Sequence, residues 1–240
     1  MALLLSRRMV AFAAVLLLLA PVGATLARPA DMEEYAERAR NAAEVLRDLQ
    51  KTPDKGIPQD LLERAHGIAV IPHVVKAAFG IGGRWGKGLV AAKTGGSWGT
   101  PAFVEISGGS FGFQLGGQAA DVVLVFATEK SLKSLLESKV KLGADASISA
   151  GPIGRSAEIG TDAKLNAEIY SYSRSKGLFA GIALDGAVIS IDDSANRKVY
   201  GREVSGKDIV LASVVKPTAI TMPFVEALRA VPSRVSERRR

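Results

Sequence analysis

The run "GIGGRWGKG", residues 80–88, ends on a lysine between glycines, and glycine-rich loops of that kind can cradle phosphate. In a G-x-x-x-x-G-K-S/T loop the backbone N–H groups hold the phosphates, the lysine reaches the β/γ-phosphates and the hydroxyl binds Mg²⁺. Counted back from Gly86-Lys87, the first glycine falls on Ile81; counted forward, the hydroxyl falls on Gly88. The dinucleotide pattern G-x-G-x-x-G fails as well, because Gly80 and Gly82 are followed by Trp85 at the third glycine position. No nucleotide and no other cofactor is expected. The glycines need a different explanation, in backbone geometry.

Other look-alikes fail on order or on missing partners. Gly95-Gly96-Ser97-Trp98-Gly99 and Gly108-Gly109-Ser110-Phe111-Gly112 both match G-x-S-x-G, which in a nucleophile elbow is followed by an acid and then a histidine. The two histidines, His66 and His73, lie upstream of both. Lys93-Thr94-Gly95 mimics a K-T-G triplet, but the S-x-x-K candidates at 138–141 and 173–176 follow it instead of preceding it. Asp192, Ser194, Asn196 and Glu203 fall at positions 1, 3, 5 and 12 of a calcium loop, yet the glycine needed at position 6 is Arg197. Without cysteine there is no thiolate metal site, no cysteine nucleophile and no disulfide. A non-enzyme without a metal is the expectation. Nucleic acid is not expected either, because the basic residues lack interleaved stacking aromatics.

The elements that must carry these residues start with a leader. Arg7 and Arg8 precede an apolar run, Met9–Ala20, and small residues near Ala24 and Ala27 suit cleavage. Twelve helical residues rise about 18 Å, short of the roughly 30 Å a bilayer core demands. Residues 1–27 therefore read as a signal peptide, and the rest as a periplasmic or secreted protein that associates peripherally with membrane. The 240-residue chain carries net +7; losing Arg7 and Arg8 with the leader leaves +5. That excess is localised. Between Glu63 and Glu105 there is no acidic residue, while Arg64, Lys76, Arg84, Lys87 and Lys93 are all there, among the glycines.

Residues 28–57 read as an amphipathic helix and linker. Asp31 can cap the helix, and Met32, Tyr35, Ala39, Ala42, Leu46 and Leu49 form one stripe, best suited to docking on a core. A short helix is expected over Pro58–His66 with Gly67 just past its end. Then come apolar or alternating runs broken by glycine: Ile68–Ile71 ended by Pro72, Leu89–Ala92, Ala102–Ile106, Phe111–Leu115 and Val122–Phe126. Glycines inside strands mark bulges, bends and close backbone approach. A helix is expected over Glu129–Val140 with Thr128 as cap, and a strand over Leu165–Tyr172. Leu178–Leu184 and Ala187–Ile191 read as a hairpin about Asp185-Gly186. Helical pattern returns at Lys207–Val215 and Phe224–Val231, and 232–240 reads as a disordered basic tail. The fold class is α+β: a strongly curved, glycine-rich antiparallel sheet or barrel packed with several short helices, preceded by the N-terminal helix, with 58–231 as one domain.

The run "GIAVIPHVVKAAFGIGGRWGKGLV", followed by "SWGTPAFVEISGGSFGFQLGGQAADVVLVF", resembles the SYLF domain family. The likeness extends through Leu61-Leu62, Ala65–Ile68 and the distal Asn196-Arg197-Lys198-Val199-Tyr200-Gly201, covering most of 58–230. The resemblance implies binding of anionic phospholipids, phosphoinositides included, through basic residues and an N-terminal amphipathic helix. It places the family's lysine on Lys76 and its glycine turn on Gly82, Gly83 and Gly86. From the residues, Lys76, Arg84, Lys87 and Lys93 are the candidate lipid-contacting cations, with Trp85 and Trp98 as apolar anchors. Each cation contributes about 1 kcal/mol on an anionic surface, so the four alone reach only millimolar affinity. An apolar anchor or pocket must add to them. The other reading of the same basic patch is a structural envelope protein with a protein or acidic-polysaccharide partner.

Overall fold

In the computed structural model, which describes residues 29–51, 56–79, 81–110, 116–154 and 166–231, the stripe of 31–51 is realised as helix α1 (Pro29–Lys51). The leader at 1–27, the tail at 232–240, Phe111–Leu115, Leu165 and Gly80 lie outside the described residues. Asp31 sits in the first turn of α1 and not at its cap, where it accepts a bond from Lys198 Nζ at 2.9 Å. Tyr35, Ala39, Ala42, Leu46 and Leu49 are buried, so the apolar stripe is consumed by the core. The small alanines allow α1 to lie close against the sheet.

After α1 come α2 (Gln59–Arg64), β1 (Gly67–Phe79), β2 (Ile81–Thr94), β3 (Ser97–Trp98), β4 (Ala102–Ser110) and β5 (Gly116–Phe126). Then follow α3 (Glu129–Glu137), β6 (Val140–Lys141), β7 (Ile148–Ala150), β8 (Ile169–Ser175), β9 (Leu178–Gly181) and β10 (Val188–Ile191). The chain closes with α4 (Asp193–Tyr200), α5 (Gly206–Val210) and α6 (Met222–Arg229). The strands form one sheet in the order β6-β10-β4-β2-β1-β5-β8-β7, with β3 on β2 and β9 on β8. Every pair is antiparallel except β7–β8. The sheet curls into a half-barrel, as the glycine content led us to expect.

Both faces of the sheet are covered. On one, Ile68, Val70, Leu89, Phe103, Val123 and Tyr170 pack under α1 and α6. On the other, Ile71, Val90, Val104, Leu124 and Phe126 pack with Leu132 and Leu135 of α3 and Ile209 of α5. Strands buried on both faces read as continuous apolar runs instead of alternating ones, which is how 68–71 and 122–126 look in the sequence.

Several boundaries differ from the sequence reading. Pro72 does not end the first strand. β1 runs through it, with one extra residue at Pro72-His73 relative to both neighbours. This is a β-bulge: Pro72 lacks an N–H, and the His73 N–H turns to the buried carboxylate Asp121 at 2.9 Å. Gly67 does not terminate α2 but opens β1, because the chain is already extended at Ala65 and the His66 N–H donates to Phe126 O. Helix α3 stops at Glu137, and Val140 belongs to β6. Helix α5 stops at Val210, and α6 starts two residues early with Pro223 in its first turn. The hairpin about Asp185-Gly186 does not form. Residues 178–181 return along β8 through a turn at Lys176-Gly177, both at positive φ, while 188–191 pair with β4 and β6. Asp185-Gly186 is a turn between those elements.

The calcium-loop look-alike is a helix. Asp192 caps α4 through the Ala195 N–H, and it also accepts a bond from Arg38 of α1 at 3.1 Å. Asn196 is fully buried; its Oδ1 accepts the Phe103 N–H at 2.8 Å, and its Nδ2 donates to Phe103 O at 3.4 Å. Gly201 takes the left-handed C-cap of α4 at φ 70. Asn196→Ala would strand the Phe103 amide in the core. It is expected to lower stability by about 2 kcal/mol, read as a lower urea midpoint at unchanged slope.

Candidate functional site

The glycines of the opening motif meet the bulge. A Cβ on Gly88 would stand 2.1 Å from Val70 O and 2.7 Å from Ile71 Cα, and one on Gly86 would stand 2.8 Å from Val74 Cγ2. Strand β2 thus runs against the bulged backbone of β1, and only glycine permits the approach. This close approach sets how the adjoining Arg84 and Trp85 are aimed.

The six candidate residues do not gather on one face. They fall into three pairs. Lys76 and Arg84 are direct cross-strand partners between β1 and β2, on the face that packs with α3. Trp85 and Lys87 lie on the reverse face beside α1, where Trp85 is 54% exposed and Lys87 Nζ is 3.8 Å from Glu34 Oε1. Lys93 and Trp98 are at the far end of β2, roughly 27 Å along the strand from Trp85 at the usual rise. Lys93 Nζ donates to Leu62 O at 2.8 Å and Glu63 O at 3.2 Å, and it lies 4.9 Å from the Trp98 ring centroid. It satisfies the open carbonyls at the end of α2, so it is a structural cation. Trp98 packs against the core on the face covered by α1 and α6, with β3 against α6. The acid-free window is a property of the linear chain; Glu34, outside it, returns in space.

Lys76 and Arg84 stand apart from the other cations. Like charges directly opposite one another repel across a sheet. Among the described residues neither side chain has a hydrogen bond or ion pair, and Arg84 Nε is buried without a partner. Burial holds the Arg84 guanidinium below its usual range, and the carboxylate of Asp185 partly offsets this. The group nevertheless remains charged at neutral pH.

These two cations line a cavity of about 230 Å³. Val74, Val122, Ile182 and Leu184 form its apolar walls, and Ser173 adds a hydroxyl with no hydrogen bond among the described residues. The lining comes from β1, β2, β5, β8 and the segment after β9, so the face is concave here. A flat sheet would hold β2 and β8 about 14 Å apart, three strand spacings, and the curl is what brings their side chains to one cavity. Arg174, next to Ser173, points to the opposite face, where its Nε donates to Asp121 Oδ2 at 2.7 Å and its guanidinium pairs with Asp48 of α1. That partly buried cluster ties α1, β5, β8 and the bulge together behind the cavity. The cavity walls escaped the sequence reading because Ser173, Ile182 and Leu184 lie about a hundred residues from Lys76 and carry no motif of their own.

Ser97 stands in the short β3 after a Gly95-Gly96 turn, not in a strand-to-helix elbow. No group of three or more metal-ligating side chains occurs among the described residues. No described helix is long and apolar enough to cross a membrane.

A half-barrel sheet flanked by short helices, with its N-terminal helix docked on one face, is the frame that carries the cavity, and its family is shown by comparison. The chain belongs to the Ysc84, or SYLF, family: residues 107–231 match the family model described as "Las17-binding protein actin regulator". It is similar to LAS seventeen-binding protein 3 of Saccharomyces cerevisiae, 36% identical over 194 residues, which are 77% of this chain and 42% of the relative. Protein YSC84 of the same species is 37% identical over 189 residues, covering 75% of this chain and 40% of its own length. SH3 domain-containing YSC84-like protein 1 of Bos taurus is 30% identical over 214 residues, 84% of this chain and 62% of that protein. The chain thus spans only part of the length of these relatives.

Proposed function

We propose that this protein is a non-enzymatic, peripheral lipid-binding protein of the cell envelope that engages anionic phospholipid head groups. The observation that carries the reading is the Lys76–Arg84 pair: two facing cations with no ion pair among the described residues, on the wall of a partly apolar cavity. The apolar leader at 1–27 supports export and a periplasmic or secreted location. Exposed Trp85 and Lys87, at the same end of the sheet, are suited to the head-group layer. Helix α1 does not insert, since its apolar stripe is already in the core. Lys93 and Trp98 belong to the scaffold.

Co-sedimentation of the full chain with vesicles tests this. Binding should be stronger to phosphatidylcholine mixed with phosphatidylglycerol than to phosphatidylcholine alone, and the difference should shrink as salt shortens the Debye length from about 10 Å to 3 Å between 0.1 and 1 M. Equal binding to both vesicles at low salt would overturn the reading. A second reading, a protein partner, is favoured by the relatives' names as Las17-binding proteins. Stable capture of an envelope protein without lipid, with no preference for anionic vesicles, would select it.

A further inference from the structure

The Lys76–Arg84 cavity has the properties of a site for one phosphate-type oxyanion and not of a diffuse basic surface. Its volume of about 230 Å³ lies below the roughly 300–1,000 Å³ of a drug-sized ligand pocket. It therefore has room for a compact anionic group and its adjoining carbons, but not for acyl chains. Three donor-bearing residues line it, Lys76, Arg84 and Ser173, and none of their side chains has a hydrogen bond or ion pair among the described residues. A planar guanidinium presents a fork that matches phosphate oxygens, and a lysine adds a mobile point charge. Asp185 is the carboxylate that acts on Arg84, and it forms no ion pair with it. Two cations against that one carboxylate leave a net positive cavity. Val74, Val122, Ile182 and Leu184 make part of the wall apolar, which lowers the local dielectric and strengthens charge-assisted bonds made there.

We infer that this cavity binds a single phosphate group, delivered either by a phospholipid head group at the membrane or by a soluble phosphate ester. This rests on the lipid-binding reading for the membrane source but not for the phosphate chemistry itself. Bound oxygen atoms would supply the counter-charge that the facing cations lack, so ligand should stabilise the fold as well as fill the site.

The experiment titrates the full chain with glycerol phosphate, following backbone amide NMR signals, and separately with phosphatidylcholine–phosphatidic acid vesicles. Three proteins are compared: the parent chain, Lys76→Gln, and Ser173→Phe, which fills the cavity while leaving both charges. In the parent, signals of β1, β2 and β8 around Lys76, Arg84 and Ser173 should shift saturably with glycerol phosphate. Each variant should bind it roughly tenfold or more weakly, the loss expected for one charge-assisted hydrogen bond or for steric exclusion. Vesicle binding should fall in parallel. A thermal melt of each variant confirms folding. No saturable shift in the parent, or undiminished glycerol phosphate binding by a folded Ser173→Phe, overturns the inference. Vesicle binding that survives in both variants while glycerol phosphate binding is lost places the membrane contact elsewhere and leaves the cavity as a soluble-phosphate site. Phosphate binding with no vesicle binding in any protein removes the lipid reading and keeps the cavity assignment.

Discussion

Gly88→Ala is expected to be the most destabilising single-methyl change at the bulge. The added Cβ would sit 2.1 Å from Val70 O and 2.7 Å from Ile71 Cα. Both are backbone atoms of the partner strand, and a methyl has no rotamer through which to escape. The β1–β2 pairing would have to part by more than 1 Å beside a bulge already fixed by Asp121 and His73. Overpacking of this kind costs about 1–3 kcal/mol when side chains can yield, and more when backbone must. We expect a loss of about 4 kcal/mol, a large share of the roughly 5–15 kcal/mol of a typical domain. Gly83→Ala, five residues earlier in the same strand, is the control, because the nearest neighbour of its added Cβ would be Gly108 O at 3.9 Å. Its urea midpoint should stay close to that of the parent. Similar midpoints for the two variants would mean that the close approach at Gly88 has no energetic role.

Arg84→Glu should separate binding from stability. The substitution puts a carboxylate directly across from Lys76 and turns a repulsive cross-strand pair into an attractive one. Asp185 nearby opposes part of that gain, so stability should remain within about 1 kcal/mol of the parent. The cavity, however, loses two units of positive charge. At about 1 kcal/mol per unit on an anionic surface, partition onto phosphatidylglycerol-containing vesicles should fall about thirtyfold. Lys93→Ala gives the opposite pattern. It removes the donor to Leu62 O and Glu63 O, so it should lower the melting temperature and leave vesicle partition unchanged. If Arg84→Glu bound vesicles as well as the parent while Lys93→Ala did not, the functional cations would have to be reassigned to the α2 end of the sheet.

Local chemistry was legible. Thr128 caps α3 as its hydroxyl suggests, and the stripe of α1 is buried as its spacing requires. The apolar runs at 68–71 and 122–126 became central strands, and dense glycine meant close backbone approach and a curled sheet. The resemblance carried by "GIAVIPHVVKAAFGIGGRWGKGLV" led to the right family.

Long-range pairing was not legible. Nothing near Leu178 shows that it returns along β8 at Lys176-Gly177, nor near Val188 that its partners are β4 and β6. A turn dipeptide states that the chain reverses, but not which edge receives the next strand; that is decided by which edge still has unpaired N–H and C=O groups. The same holds for charge. The acid-free stretch from Glu63 to Glu105 is one block in the chain, but strand alternation sends Arg84 and Trp85 to opposite faces, and helix α2 claims Lys93. By itself the sequence determined the elements, the glycine-dependent curvature and the cations available. The tertiary structure alone decided which two of those cations share a cavity, because side-chain direction in a strand has a period of two and a curled sheet joins residues about a hundred positions apart.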